Sequence, residues 1–214
     1  MLPRSFFQRD PLTCARELIG CELVWNSCAG LIVETEAYTA LGDEASHTFT
    51  RPSTRAFVAH HRAGAAYVYF NYGMYWLFNV LVKGGSENGF VLIRALQPTR
   101  GIPSMRRRRF PKSGNHRAAT SRPPETLCSG PGKLTIALGI DGQHHGMDLC
   151  TNPKQAFHAC RTNGIECISD LRIGITKSAH LPWRFLAAEN PFVSVRARVG
   201  PVAPHVIRRI ARSA

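Results

Sequence analysis

A single α+β domain is the architecture that this sequence predicts, and three observations carry the prediction. Apolar runs with period-2 alternation recur between residues 21 and 96, turn residues separate neighbouring runs as in hairpins, and a helical stripe lies on either side of this region. No stretch of Pro, Gly or Ser in the 214 residues is long enough to divide two units, so residues 1–214 read as one domain.

Asp10 before Pro11, followed by Leu12, Ala15, Leu18 and Ile19, predicts an N-cap, a first-turn proline and an apolar helix face ending at Gly20. Residues 21–25 predict a strand, Asn26 to Gly30 a turn, and Leu31 to Tyr38 a second strand able to pair with the first. Period-2 geometry puts Glu34, Glu36 and Tyr38 on one face, with Val33, Thr35 and Ala37 on the other. Residues 42–54 are polar and read as a loop bordering a site. Ala65 to Phe70 and Tyr75 to Val82 flank Asn71-Tyr72-Gly73-Met74 and form the strongest hairpin signal. Phe90 to Leu96 is a further strand whose apolar run Arg94 interrupts. Residues 99–124 read as an exposed basic loop with one helical turn at the arginines. Ser129-Gly130-Pro131-Gly132-Lys133-Leu134 opens a helix through Leu138, and short strands are expected near residues 156–158, 167–170 and 184–187.

The charge balance stands out: 27 Lys and Arg against 14 Asp and Glu, a formal +13. That excess predicts a polyanionic partner. No acidic residue occurs from Asn88 to Pro124, whereas Arg94, Arg100, Arg106 to Arg109, Lys112, Arg117 and Arg122 all fall there. The seven cysteines form no C-x-x-C pair and no zinc-like cluster with His, which points to reduced structural thiols and no metal. No signal peptide or membrane span is evident, so an intracellular protein is expected, cytoplasmic or nucleoid-associated in a bacterial host.

A half-buried Glu36 needs a partner, and Arg94 on another strand is the cation available. Such a pair suits a general base that activates water. A structural ion pair is the alternative reading. Tyr72, beside Gly73 at a hairpin tip, is a candidate wedge between base steps. Tyr38 and Tyr69 are candidates to stack on a flat ligand, with His47 and Asn79 as polar side chains nearby, and ordinary packing is the alternative for each. Ser129, Gly130 and Lys133 combine a helix start with a cation, as phosphate binding requires. The spacing there does not fit a nucleotide-hydrolase phosphate loop, and no Rossmann fingerprint or G-x-S-x-G elbow occurs.

Taken together, Leu31-Ile-Val-Glu-Thr-Glu-Ala-Tyr38, His47, Tyr67-Val-Tyr-Phe-Asn-Tyr-Gly-Met-Tyr75, Asn79, Val91-Leu-Ile-Arg-Ala-Leu-Gln-Pro98 and Leu127-Cys-Ser-Gly-Pro-Gly-Lys-Leu134 resemble the alkyladenine (3-methyladenine) DNA glycosylase family. Phe6 to Asp10, Arg184-Phe185 and Asn190 to Ser194 extend the resemblance over most of the chain. It implies a curved antiparallel sheet with surrounding helices and a monomer acting on double-stranded DNA with damaged purines, without cofactor or metal. It also implies hydrolysis of the base-to-sugar bond of 3-methyladenine, 7-methylguanine, hypoxanthine or ethenoadenine. By that resemblance Glu36 is the general base, Arg94 its anchor and Glu34 a bystander. Tyr38, His47, Tyr69 and Asn79 line the pocket, Tyr72 fills the gap in the duplex, and Ser129, Gly130, Lys133 and the basic loop meet phosphates. Lys133 is not a Schiff-base nucleophile in this scheme. Asn71 departs from the apolar residues that usually precede the tyrosine.

Two other classes compete with that reading. A non-enzymatic nucleic-acid binder accounts for charge and aromatics but gives Glu36 and Arg94 no reason to meet. A carbohydrate hydrolase using Glu34 and Glu36 requires carboxylates flanking a bond, whereas neighbours on one strand face point the same way.

Overall fold

A computed structural model describes residues 1–111, 122–159 and 165–198. Lys112, Arg117 and Cys160, part of the basic and cysteine readings, lie outside the described residues. Eight antiparallel strands form one curled sheet: β1 (Glu22–Trp25), β2 (Cys28–Thr39), β3 (Ala66–Asn71), β4 (Tyr75–Val82), β5 (Gly89–Arg100), β6 (Gln155–His158), β7 (Cys167–Asp170) and β8 (Arg184–Ala187). Their order is β3-β4-β5-β2-β1-β6, and β8 joins β2 beside β1 while carrying β7 on its other edge. Among the described residues, five α-helices surround the sheet: α1 (Pro11–Glu17), α2 (His47–Thr50), α3 (Pro52–His60), α4 (Ile102–Arg109) and α5 (Pro131–Leu138). The α+β expectation holds.

β2 is the spine, pairing with β5 along one edge and with β1 and then β8 along the other. Its alternation is the predicted one. Val33 and Ala37 lie in the main core, and the Thr35 hydroxyl donates to the Ala15 carbonyl of α1 at 2.8 Å. α1 begins as expected, with the Asp10 carboxylate accepting from the Thr13 N–H at 2.8 Å. The register with β5 slips three times, and in the third slip Glu34 faces Ala95 while Thr35 faces Ile93. Arg94 is the extra residue of that bulge. A bulge re-aims a side chain without ending the ladder, and here it turns a cation toward the carboxylates of β2.

Two expectations need correction. The segment 42–54, read as a loop, contains α2 and the start of α3, because Thr54, Phe57 and Val58 bury one side of α3 and Pro52 fits its first turn. Phe57 and Val58 join a second core cluster with Tyr67, Leu81 and Phe90. The basic segment is likewise more ordered than a loop. Residues 99 and 100 complete β5, and Ile102–Arg109 form a helix anchored by fully buried Met105. Burying that side chain contributes about 2 kcal/mol. Arg108 donates to the Ala137 carbonyl at 2.9 Å and Arg109 to the Leu127 carbonyl at 3.0 Å, so part of the arginine run fastens α4 to its neighbours.

Among the described residues, Cys14, Cys21, Cys28, Cys128 and Cys167 are buried free thiols and Cys150 is half-buried. Burial pushes Cys14 and Cys128 up to about 12, as expected of unreactive packing groups. No helix among the described residues is long and apolar enough to cross a membrane.

Candidate active site

The curl of the sheet brings β2, β3, β4 and β5 around a cavity of about 540 Å³, closed by α2, the start of α5 and residues 173–175. Tyr38, His47, Tyr69, Tyr72, Asn79, Arg94, Gly130 and Lys133 all line it. Eight of the ten residues singled out from the sequence therefore share one wall. Ser129 sits one residue outside, its hydroxyl 3.5 Å from the Lys133 ammonium. Glu36 lies behind the wall and has no exposed surface.

Three groups hold Glu36. The Ile173 N–H donates to Oε1 at 2.7 Å, the Tyr38 hydroxyl donates to Oε2 at 2.8 Å, and the Arg94 guanidinium is 3.3 Å from Oε1. Tyr38 stays a phenol, since burial and the neighbouring Glu36 carboxylate raise it well above its ordinary range. Burial opposes the charge on Arg94, but Glu36 and Glu34 outweigh it and push Arg94 up.

Glu34 is no bystander to the architecture. Its Oε1 accepts from Arg94 Nε at 3.0 Å, Arg184 at 3.1 Å and the Ser194 hydroxyl at 2.9 Å, and its Oε2 accepts from the Ser194 N–H at 2.6 Å. Arg94 therefore bonds more closely to Glu34 than to Glu36. Arg184 also pairs with Asp170, so one carboxylate gathers β5, β8 and the segment around Ser194 beneath the site.

The aromatic wall is built by β3. Tyr67 and Tyr69 point the same way at two-residue spacing, and the His47 ring packs edge-on against Tyr69 with centroids 4.4 Å apart. His47 Nδ1 lies 3.1 Å from the Tyr67 hydroxyl, which is 2.9 Å from the Thr54 hydroxyl. Tyr67 was not singled out from the sequence, although its alternation with Tyr69 was the signal for it. Asn79 donates to the Tyr67 carbonyl at 3.1 Å, which supplies the partner its place in an apolar strand demands. Arg109, noted in the sequence only for its charge, also lines the cavity, as do Ile173 and Ile175, which had no recognisable local pattern.

Burial, and then the charge of Arg51, push the His47 imidazole down to about 4. It is neutral near pH 7. Because its folded value lies below the unfolded one of about 6.5, the unfolded chain binds the proton first, and stability is full above that pH and falls toward the folded value. Discounting for partial solvent contact, the loss between about pH 7 and pH 5 is expected to be about 1 kcal/mol from this group. Urea unfolding at both pH values, compared between wild type and His47→Gln, checks this, and an identical pH response in the two proteins refutes it.

At the rim, the β3–β4 hairpin turns through Tyr72 and Gly73, both at positive φ (50° and 66°), with the Met74 N–H donating to the Asn71 carbonyl at 3.0 Å. A tyrosine in that region costs roughly 1–2 kcal/mol. Tyr72 is 82% exposed, and Phe70, Met74 and Tyr75 beside it are exposed as well. Apolar groups gathered on a strained tip and facing solvent mark a contact surface. Below the tip, α5 comes so close that a Cβ on Gly132 would meet Tyr75 Cγ at 2.7 Å. Among the described residues, no three His, Cys, Asp or Glu side chains gather as a metal site.

The family model for methylpurine-DNA glycosylase matches residues 5–191. Relatives from Bradyrhizobium diazoefficiens and Nitrobacter winogradskyi are each 42% identical over 193 residues, covering 90% of this chain and 90% and 86% of their own. One from Rhodopseudomonas palustris is 42% identical over 194 residues, covering 91% of this chain and 88% of its own. All three carry the name of 3-methyladenine DNA glycosylase. With the cavity, the buried Glu36 and the cationic surround already in place, the match over nearly the whole described chain makes this protein a member of the methylpurine-DNA glycosylase family, DNA repair enzymes that hydrolyse N-glycosyl bonds.

Proposed function

We propose that this enzyme removes 3-methyladenine, the base in its relatives' names, together with 7-methylguanine, hypoxanthine and ethenoadenine, from duplex DNA by direct hydrolysis. The damaged nucleotide is turned out of the helix, its base enters the cavity, and Glu36 activates the attacking water. The observation that carries this reading is a single cavity in which Tyr38, His47, Tyr69 and Asn79 surround Arg94, with Glu36 bonded to the Tyr38 hydroxyl at its back. Aromatic faces contribute roughly 1–3 kcal/mol per stacked base and accept purines of varied substitution. Tyr38 lines the cavity and Glu36 does not, so the Tyr38 hydroxyl must yield its place on Oε2 to water when a base is bound.

Tyr72 serves as the wedge that occupies the vacated stack. The exposed Lys133 and the Gly130–Gly132 backbone at the start of α5 meet a phosphate beside the turned-out nucleotide. If the strain at Tyr72 is held for that purpose, Tyr72→Gly leaves the melting temperature unchanged or raised and lowers base release by about tenfold. A thermal melt and a single-turnover assay on the same protein check both halves.

The direct test is single-turnover incubation with duplexes carrying each lesion, followed by alkali. The expected product is an alkali-labile abasic site in lesion strands only, with free base released and the backbone intact before alkali. Strand breaks without alkali would require amine chemistry at Lys133 and would reject hydrolysis. No base release from any lesion would reject the substrate class.

A further inference from the structure

Arg172 and Asp43 form a fully buried ion pair outside the cavity lining. Arg172 donates to both carboxylate oxygens of Asp43, at 2.6 and 2.8 Å, to the Ala37 carbonyl at 3.0 Å and to the Ser178 carbonyl at 3.2 Å. Its Nε–H has no oxygen partner among the described residues, and the guanidinium lies 4.6 Å from the Tyr38 ring centre and 5.1 Å from that of Trp183. A lysine would neutralise Asp43 equally well. Only a planar cation can also spread against two rings while forking onto a carboxylate.

Two of these contacts, and the residue that follows Arg172 in the chain, converge on Glu36. Ala37 follows Glu36 in β2, Tyr38 donates its hydroxyl to Glu36 Oε2, and Ile173, the residue after Arg172, donates its N–H to Glu36 Oε1. We infer that Arg172, clamped by Asp43, is a positioning residue that sets the Tyr38 ring and the Ile173 N–H around the catalytic carboxylate. It backs one face of Tyr38, and the ring's place in the cavity wall leaves the other for the base. This inference rests on Glu36 being the water-activating base. It gives the loop after β2 a catalytic consequence, because Asp43 reaches Arg172 across 129 residues of sequence.

The experiment compares wild type, Glu36→Gln, Arg172→Lys and the charge-free pair Asp43→Asn/Arg172→Gln. Each is measured for melting temperature, affinity for duplex DNA with a tetrahydrofuran abasic analogue, and single-turnover release of hypoxanthine. Arg172→Lys keeps Asp43 neutralised but loses the fork and the stacking. It is expected to fold, to bind the analogue within about threefold of wild type, and to release base about 10- to 100-fold more slowly, as misplacement of a reacting group by about 1 Å does. A purely structural pair would lower melting temperature and affinity without that separate loss of rate. Release within about threefold of wild type by folded Arg172→Lys overturns the inference. Should Arg172→Lys not fold, the charge-free pair is read by the same criterion, since replacing both charges avoids stranding a buried ion. An active Glu36→Gln protein would overturn the base assignment itself, and the inference with it, whatever the Arg172 variants do.

Discussion

Replacing Glu36 with Gln is expected to slow single-turnover base release by about 10²- to 10⁴-fold, the usual contribution of a general base, while DNA affinity holds. Gln is close in shape and its carbonyl oxygen still accepts from the Ile173 N–H, so the fold has no cause to collapse. Arg94 keeps Glu34 as its other anion. What is lost is the proton acceptor. The effect is expected to be larger for hypoxanthine than for 3-methyladenine, because a cationic alkylated base departs readily and demands less of the water. Release by Glu36→Gln within about fivefold of wild type on hypoxanthine would remove Glu36 from the mechanism.

Glu34→Gln is expected to act on stability instead, lowering it by about 3–5 kcal/mol, because two buried arginines then share no carboxylate beneath the site. Glu34 is fully buried and accepts from Arg94, Arg184 and Ser194, and once it is gone Arg184 keeps Asp170 as its anion beside the Leu171 and Val195 carbonyls. Urea unfolding reads the change as a shift of midpoint at constant slope. A difference below about 1 kcal/mol would mean that water or local rearrangement satisfies both cations, and the hub would lose its structural meaning.

The two glutamates of one strand face thus have different surroundings, and that difference was only half legible in the sequence. Alternation put Glu34, Glu36 and Tyr38 on one face correctly, and the charge interrupting an apolar strand singled out Arg94. What alternation could not show is the run of register slips between β2 and β5, the last of which makes Arg94 the extra residue of a bulge that lies closer to Glu34 than to Glu36. A bulge leaves no local mark in composition.

The hairpin at Tyr72 was legible because turn chemistry is local, and so was the opening of α5. α3 was not, since Pro52 and the polar residues around it read as a loop while its buried side consists of only Thr54, Phe57 and Val58. α4 was hidden by four consecutive arginines, whose carbonyl partners lie on distant segments. Asp43 with Arg172 is the extreme case: neither residue stands in a periodic pattern, and only the closed fold brings them together.

Glu34 also imposes an order of assembly. Its last ligand, Ser194, lies 160 residues further along the chain, and Ile173, which holds Glu36, lies 137 beyond that residue. The hairpin and the spine strand precede both clasps along the chain, so Glu34 and Glu36 gain their last hydrogen-bond partners only once residues 173–194 have closed onto the sheet.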